Sequence, residues 1–400
     1  MKQTALFLYF LIIFWFFQGF AYSQSDSMPP DRLSLVFAGD LMGHQEQINA
    51  AYDKESKTYK YDGVFAHTKD IISAADIAFG NLEVTVGGKP YTGYPSFSSP
   101  LDFVNSCTAA GFDVLFTANN HFYDKGARGL RNSIKNLDSM GVTYTGSYLN
   151  QDSRDSLYPL VVEKNGIKLG LLNYTYGVNA APVFSPYIIN TINKDQILAD
   201  IQKVKSKGVD VVIAYMHWGT EYASTQSKAQ SDLAEFLFKN GVQVVIGSHP
   251  HVIQPMEWRK DSAGLDNIVA YSLGNFVSYQ RRRKTDGGAL FRLDIRKDAD
   301  GVVRVDDAGY YLIWVHNYVS NGKNNLYVLP SDRFLSRKEV FADDVSFGKL
   351  KLFVDDSRLL LGENNKNVAE FQHISGRWEK KLLGVALREP GMVKGSGTAP

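Results

Sequence analysis

Six short apolar runs in this chain end in a residue able to grip a cation. "LSLVFAGD" ends in Asp40, with His44 just beyond, and "DIAFGNLE" delivers Asn81 and Glu83. "DVLFTANNH" delivers Asn119, Asn120 and His121, and "VDVVIAYMHWGTE" delivers His217 and Glu221. "VQVVIGSHPH" ends in His249 and His251, and "NIVAYSLGN" in Asn275. Between these runs lie segments such as "GARGLRNSIKNLDSM", "NKDQILADIQKVKSKG" and "KAQSDLAEFLFKNG". Their apolar residues recur at three and four, the period of an amphipathic helix, and several stop at glycine. Strands alternating with helices predict an α/β fold. In such sheets ligands bind at the carboxyl ends of the strands. Six polar strand ends of metal-ligating type therefore predict one site assembled along a shared edge.

The doublet His249-Pro250-His251 is the sharpest of these signals, because the chain has only eight histidines. The strand is expected to break at Gly247 and Ser248. Side chains of an extended backbone alternate with period two, which puts both imidazoles on one side. Neutral imidazoles with carboxylates and an Asn carbonyl form an oxygen–nitrogen shell suited to a divalent transition ion such as Mn, Zn or Fe. Taken singly, each residue has a plainer reading. Asn120 could cap a helix, Asp40 could serve a turn, and a lone His217 could be a satisfied core residue. Only their common order along successive strand ends makes the set a site.

The later stretch "GGALFRLDIRKDADGVVRVDDAGYYLIWVHN" alternates around the turn "KDADG", as antiparallel hairpins with one wet face do, and predicts a second sheet on the first. The main domain is expected over 31–340. A helical pattern from 341, then a polar tail to 400, reads as a C-terminal extension. A formal net charge of +1 gives no reason to expect nucleic acid as a partner. Residues 1–23 combine Lys2, an apolar run from Ala5 to Phe17 and small residues before Gln24. That is the pattern of a secretory signal, or of an anchor if it stays, and predicts an exported, extracytoplasmic protein. The only cysteine, Cys107, cannot form an intramolecular disulfide.

In the order "FAGDLM", "GNLE", "TANNHFYDKG", "HWGTEY", "GSHPHVIQPMEW" and "YSLGNF", about residues 33 to 295 resemble the CapA-type capsule and poly-γ-glutamate biosynthesis proteins, a branch of the calcineurin-like metallophosphoesterases. The resemblance implies a four-layer α-β-β-α sandwich holding one or two metal ions. It implies Asp40 as a ligand of the first metal, with His251 returning to that ion, and Glu83 in the bridging place. Asn120, His217 and His249 hold the second metal, His121 acts as general acid, and Asp124 orients it. Met42 stands where the superfamily has a histidine, and His44 is the candidate to replace it. The implied partners are an anionic capsular polymer, or a phosphorylated or glutamyl substrate, and other capsule synthesis proteins at the membrane.

Around this set, Asn81, Glu221, Asn275 and Arg281 are candidates for touching substrate. Arg281 opens the run "RRRK", which reads either as a solvated loop or as a receiver of an anionic substrate. Trp218 and Tyr222 line a pocket or simply pack. Two functions stay open on these residues. One is a metal-dependent hydrolase of phosphoester or amide bonds. The other is a non-catalytic component that binds polymer in an assembly complex.

Overall fold

A computed structural model describes residues 31–179, 182–320 and 322–381. The expected signal or anchor over 1–23 and the end of the C-terminal tail lie outside these residues. Among the described residues no helix is long and apolar enough to cross a membrane.

Two large sheets carry the fold. In the smaller, of six strands, Ile167–Thr175, Val211–His217, Val244–Ser248 and Asp266–Ala270 run parallel, with antiparallel strands at both edges. In the larger, of ten strands, Arg32–Leu41, Ile77–Leu82, Val114–Phe116 and Thr143–Thr145 run parallel. It continues antiparallel through Gly287–Lys297 and Val303–Ser320, the hairpin strands expected from their alternation. They extend the first sheet rather than forming one of their own.

Three apolar clusters show the layering. The central one joins inward residues of both sheets, among them Phe37, Phe79, Phe116, Leu169, Ile213 and Ile246. Phe37 stacks on Phe79 at 4.6 Å between centroids, and Phe116 on Tyr215 of the facing sheet at 4.3 Å. Tyr215 then donates its hydroxyl to the Ala38 carbonyl at 2.8 Å, pinning sheet to sheet beside Asp40. A second cluster buries Phe103, Val104 and Cys107 of helix Leu101–Ala110, and Leu130, Ile134 and Leu137 of helix Gly126–Ser139, on the outer face of the large sheet. The third does the same for Ile197, Ile201, Leu233 and Leu237 of helices Lys194–Ser206 and Lys228–Lys239 on the small sheet. The order is helix, sheet, sheet, helix.

The strand Ile167–Thr175 is absent from the sequence reading, yet it sits between Val211–His217 and the edge strand Leu160–Lys164. The C-terminal region is helical over Asp344–Asn364, as expected, and that helix buries Leu350, Phe353, Val354 and Leu361 in the central core. A hairpin not foreseen from sequence, Ala369–Ile374 with Arg377–Lys381, then completes one edge of the large sheet. Residues 341–381 are thus built into the sandwich.

Candidate metal centre

The parallel strands of both sheets finish at one edge. Asp40 is level with Asn81 on one side and Asn275 on the other, and His217 is level with Ser248. Close approach is possible because residue 39 is glycine: a Cβ there would strike the Gly274 carbonyl oxygen. Gly247 is constrained alike, by the Tyr271 carbonyl and the Trp218 indole, and it stays within its strand. The backbone turns only at the histidines. His249 has φ 98° and His251 φ 57°, so both adopt the left-handed region, and the extended-chain rationale for their shared side is overturned. Two left-handed residues in three are costly, about 1–2 kcal/mol each, and such strain gathers at functional sites. The turns leave the two rings 6.0 Å apart, with His249 4.8 Å from His217.

Six side chains converge here, all buried: Asp40, Glu83, Asn120, His217, His249 and His251. Asp40, Glu83 and His217 present ligand atoms within 4.8 Å of one another, and so do Glu83, His249 and His251. Glu83 belongs to both groups. These triads divide the histidines differently from the resemblance, which pairs His251 with Asp40 and His217 with His249. His217 Nε2 lies 2.7 Å from Asn120 Oδ1 and 3.5 Å from Glu83 Oε1. Glu83 Oε1 and His249 Nδ1 have no hydrogen-bond partner although both are buried. Leaving such atoms unpaired costs about 1–3 kcal/mol apiece. Asn120 Nδ2, a donor, is unpartnered as well, but the two unpaired acceptors, on a carboxylate and an imidazole, fit a divalent transition ion.

The electrostatics agree. Burial, then the charge of Asp40, raises the Glu83 carboxyl well above the usual range. Burial also acts to raise Asp40, but the hydrogen bond and charge of His251, with His217, outweigh it and hold that group far below. Burial, and then repulsion among the imidazoles, lowers His217 well below its ordinary value and His249 to about 3. Neutral imidazoles beside an ionised Asp40 are the form a metal accepts, and a cation would compete with a proton for Glu83.

His121 stands at the rim of this cluster, 3% exposed, with Asn179 Nδ2 3.4 Å from its Nε2 and Phe97 edge-on against its ring. Asp124 Oδ2 lies 2.8 Å from its Nδ1.

The remaining candidates fall elsewhere. Asn81 is fully buried and braces the ligands, donating to Asp40 Oδ1 at 2.8 Å and standing 3.3 Å from His217 Nδ1. Asn275 is also buried: its Oδ1 lies 3.1 Å from His251 Nδ1, and its amide donates to Gln280 and to the Thr285 carbonyl. Both are fully buried and hydrogen-bonded to the candidate ligands. Glu221 is exposed on the loop after His217. His44 does not join either metal group. Its Nδ1 accepts the Tyr279 backbone N–H at 3.2 Å, its own N–H caps helix Gln45–Ala51 through Gln47, and burial lowers it to about 4. Met42 is core, 1% exposed. Arg281 turns away, donating to the Val315 carbonyl and stacking on Tyr279. Trp218 packs, with its indole N–H on the Tyr271 carbonyl, whereas Tyr222 borders the site 6.2 Å from His251.

Tyr176 and Asn179, both absent from the sequence reading, follow the overlooked strand. The Tyr176 ring lies 4.5 Å from His249 and stacks on His217 at 6.2 Å, half exposed at the mouth. The run "IKLGLLNYT" carried the signal for that strand, but it ends in Thr175 rather than a metal-ligating residue.

Comparison with known proteins adds the family. The chain is 30% identical to the capsule biosynthesis protein CapA of Bacillus anthracis over 289 residues, 69% of this chain and 67% of that one. It is 27% identical to the PGA biosynthesis protein CapA of Bacillus subtilis over 341 residues, 82% and 84% of the two chains. Among solved structures it is similar to the calcineurin-like phosphoesterase YfkN of Bacillus subtilis, with TM-score 0.43 and 16% identity over 82% of this chain and 98% of that one. It is also similar to the NAD nucleotidase of Haemophilus influenzae, with TM-score 0.44 and 12% identity over 86% of this chain and 65% of that one. Residues 34–280 match the family described as bacterial capsule synthesis protein PGA_cap, and the chain belongs to that family.

Proposed function

We propose that the protein is a metal-dependent hydrolase of phosphoester or amide bonds, working outside the cytoplasmic membrane in the synthesis or export of an anionic capsular polymer. The carrying observation is the convergence of Asp40, Glu83, Asn120, His217, His249 and His251, with unpartnered inward atoms, beside the His121–Asp124 pair. A bound divalent ion supplies Lewis acidity and a water of lowered pKa. The chain's own residues supply the rest. Asp124 takes the Nδ1 proton of His121 in a hydrogen bond and stabilises the cationic ring. The proton on Nε2 is then the one a departing group receives. Asn275 and Asp40 both approach His251 Nδ1, which turns its Nε2 toward Glu83. Phe97, fully buried, packs against the His121 ring, and half-exposed Tyr176 lies beside His249.

One observation favours the non-catalytic reading: Met42 is core and His44 is tied to Tyr279, so the first metal lacks the histidine of the superfamily pattern. The test is to load the purified protein with Mn or Zn, count the metal by elemental analysis and offer an aryl phosphate and a γ-glutamyl amide. Turnover that disappears in His121→Ala at constant metal content supports hydrolysis. Full metal content with no turnover of either substrate leaves the assembly role.

A further inference from the structure

The run Arg281–Lys284 remains without a role, and its four cations are seated differently. Arg283 is neutralised by Asp356 through two hydrogen bonds, at 2.7 and 2.6 Å. Arg281 lies on the Tyr279 ring. Lys284 reaches Ser224 Oγ at 3.5 Å. Arg282 lies over Tyr222, its guanidinium carbon 4.5 Å from the ring centre, and makes no ion pair among the described residues. That ring is the one 6.2 Å from His251, and the Tyr222 N–H donates to the Pro250 carbonyl at 2.8 Å. Tyr222 has φ 66°, a third left-handed residue beside the cluster. The base of the cationic loop is tied to the same site by Asn275, whose amide donates to the Thr285 carbonyl.

From this we infer that Arg282 is a specificity residue, taking the first carboxylate of a polycarboxylate chain beyond the bond held at the metal centre. The inference rests on the polymer part of the proposed function. A cation–π contact leaves guanidinium N–H donors without an acceptor among the described residues, and those donors can match a carboxylate bidentately. A small monoester at the metal leaves this cation idle, whereas a chain with a charge on each unit occupies it. The chain has a second place to go. Behind the loop lies a cavity of about 360 Å³ lined by Arg281, Lys284 and Lys349, with Arg283 also in its wall. Of its two carboxylates, Asp356 is consumed by Arg283, and Asp286 accepts the Trp314 indole N–H. Positive charge remains in surplus there. A nucleic acid fits less well, because single strands need open aromatic faces for their bases and Arg282 covers Tyr222.

The experiment measures polarisation of a fluorescein-labelled γ-linked glutamate oligomer on metal-loaded and chelator-treated protein, at low and high salt. Arg282→Gln is expected to weaken binding about five- to tenfold, as loss of one charge-assisted contact does. Arg282→Gln combined with Lys349→Gln weakens it further and flattens the salt dependence. Both should keep wild-type metal content and melting temperature, and Lys239→Gln, on an outer helix, is the matched charge control. Unchanged affinity in both variants overturns the inference, and so does equal binding of a single-stranded oligonucleotide of the same charge. Binding that depends on Arg282 in protein without turnover supports it while sinking the hydrolase reading alone.

Discussion

The carboxylate oxygen of Asp124 that lies 2.8 Å from His121 Nδ1 also accepts the backbone N–H of Phe97 at 2.8 Å. The second bond fixes the carboxylate, so the imidazole is aimed by the backbone of a loop rather than by a free side chain. Asp124→Asn keeps an acceptor but removes the charge that favours the cationic ring. It is expected to lower kcat about 10- to 100-fold, against about 10²–10⁴-fold for His121→Ala. Steady-state kinetics on the metal-loaded protein, with metal counted in each variant, checks this. Equal rates for Asp124→Asn and wild type would remove the positioning role.

Asn275 acts one step behind His251. With Asn275→Ala, His251 Nδ1 keeps Asp40 but loses its other partner, and the ring is free to turn. Partners of this kind are worth about 10- to 100-fold in metal affinity. Competition against a colorimetric chelator should show a loss of that size, with little change in secondary structure.

Stability should fall on the acid side. Burial holds His249 at about 3, and His44 and His316 at about 4, below the ordinary 6.5. In the unfolded chain these rings take protons as pH drops through 6.5, while in the folded protein they stay neutral. Stability present above pH 6.5 is therefore lost between about 6.5 and 4, and for His249 down to about 3, by up to about 1.4 kcal/mol per pH unit for each ring. His316 stacks on Trp314 and Tyr318 and belongs to neither metal group. Urea unfolding of the chelator-treated protein at a series of pH values should thus show a shallower acid slope in His316→Phe.

Glu83 behaves in the opposite sense. Its carboxyl is raised on folding, so without metal the fold is favoured below the ordinary carboxylate range and loses that advantage as pH rises toward the raised value. Metal takes the place of the proton. The gain in melting temperature on adding Mn should grow with pH, and Glu83→Gln should flatten that growth. A gain independent of pH in the wild type would count against Glu83 as a ligand.

The C-terminal helix is structural. Phe353 is 3% exposed in the central core, against the Gly287 backbone. Phe353→Ala should cost about 3–5 kcal/mol, read as a lower urea midpoint at unchanged slope.

Much of this protein is legible in one dimension, for identifiable reasons. Apolar runs of β-branched residues mark Val211–His217 and Val244–Ser248 as buried strands because burial on both faces demands continuous hydrophobicity. Helices such as Gly126–Ser139 announce themselves through one apolar stripe. Asp40, Glu83, Asn120, His121, His217, His249 and His251 stand out because polar residues at the ends of apolar strands have no packing reason to be there. Ile167–Thr175 escaped because nothing polar at its end drew notice, although Tyr176 and Asn179 follow it. Composition and spacing thus determined the α/β class and a shared edge of polar strand ends, while the layered sandwich and the ligand roles, His44 among them, are what the family resemblance implies. Tertiary structure alone decided which atoms meet: left-handed turns at His249 and His251 that no local propensity favours, the withdrawal of His44 to Tyr279, and the placing of Arg282 on Tyr222. Those outcomes depend on contacts between residues tens to hundreds of positions apart, and local sequence carries no record of such distances.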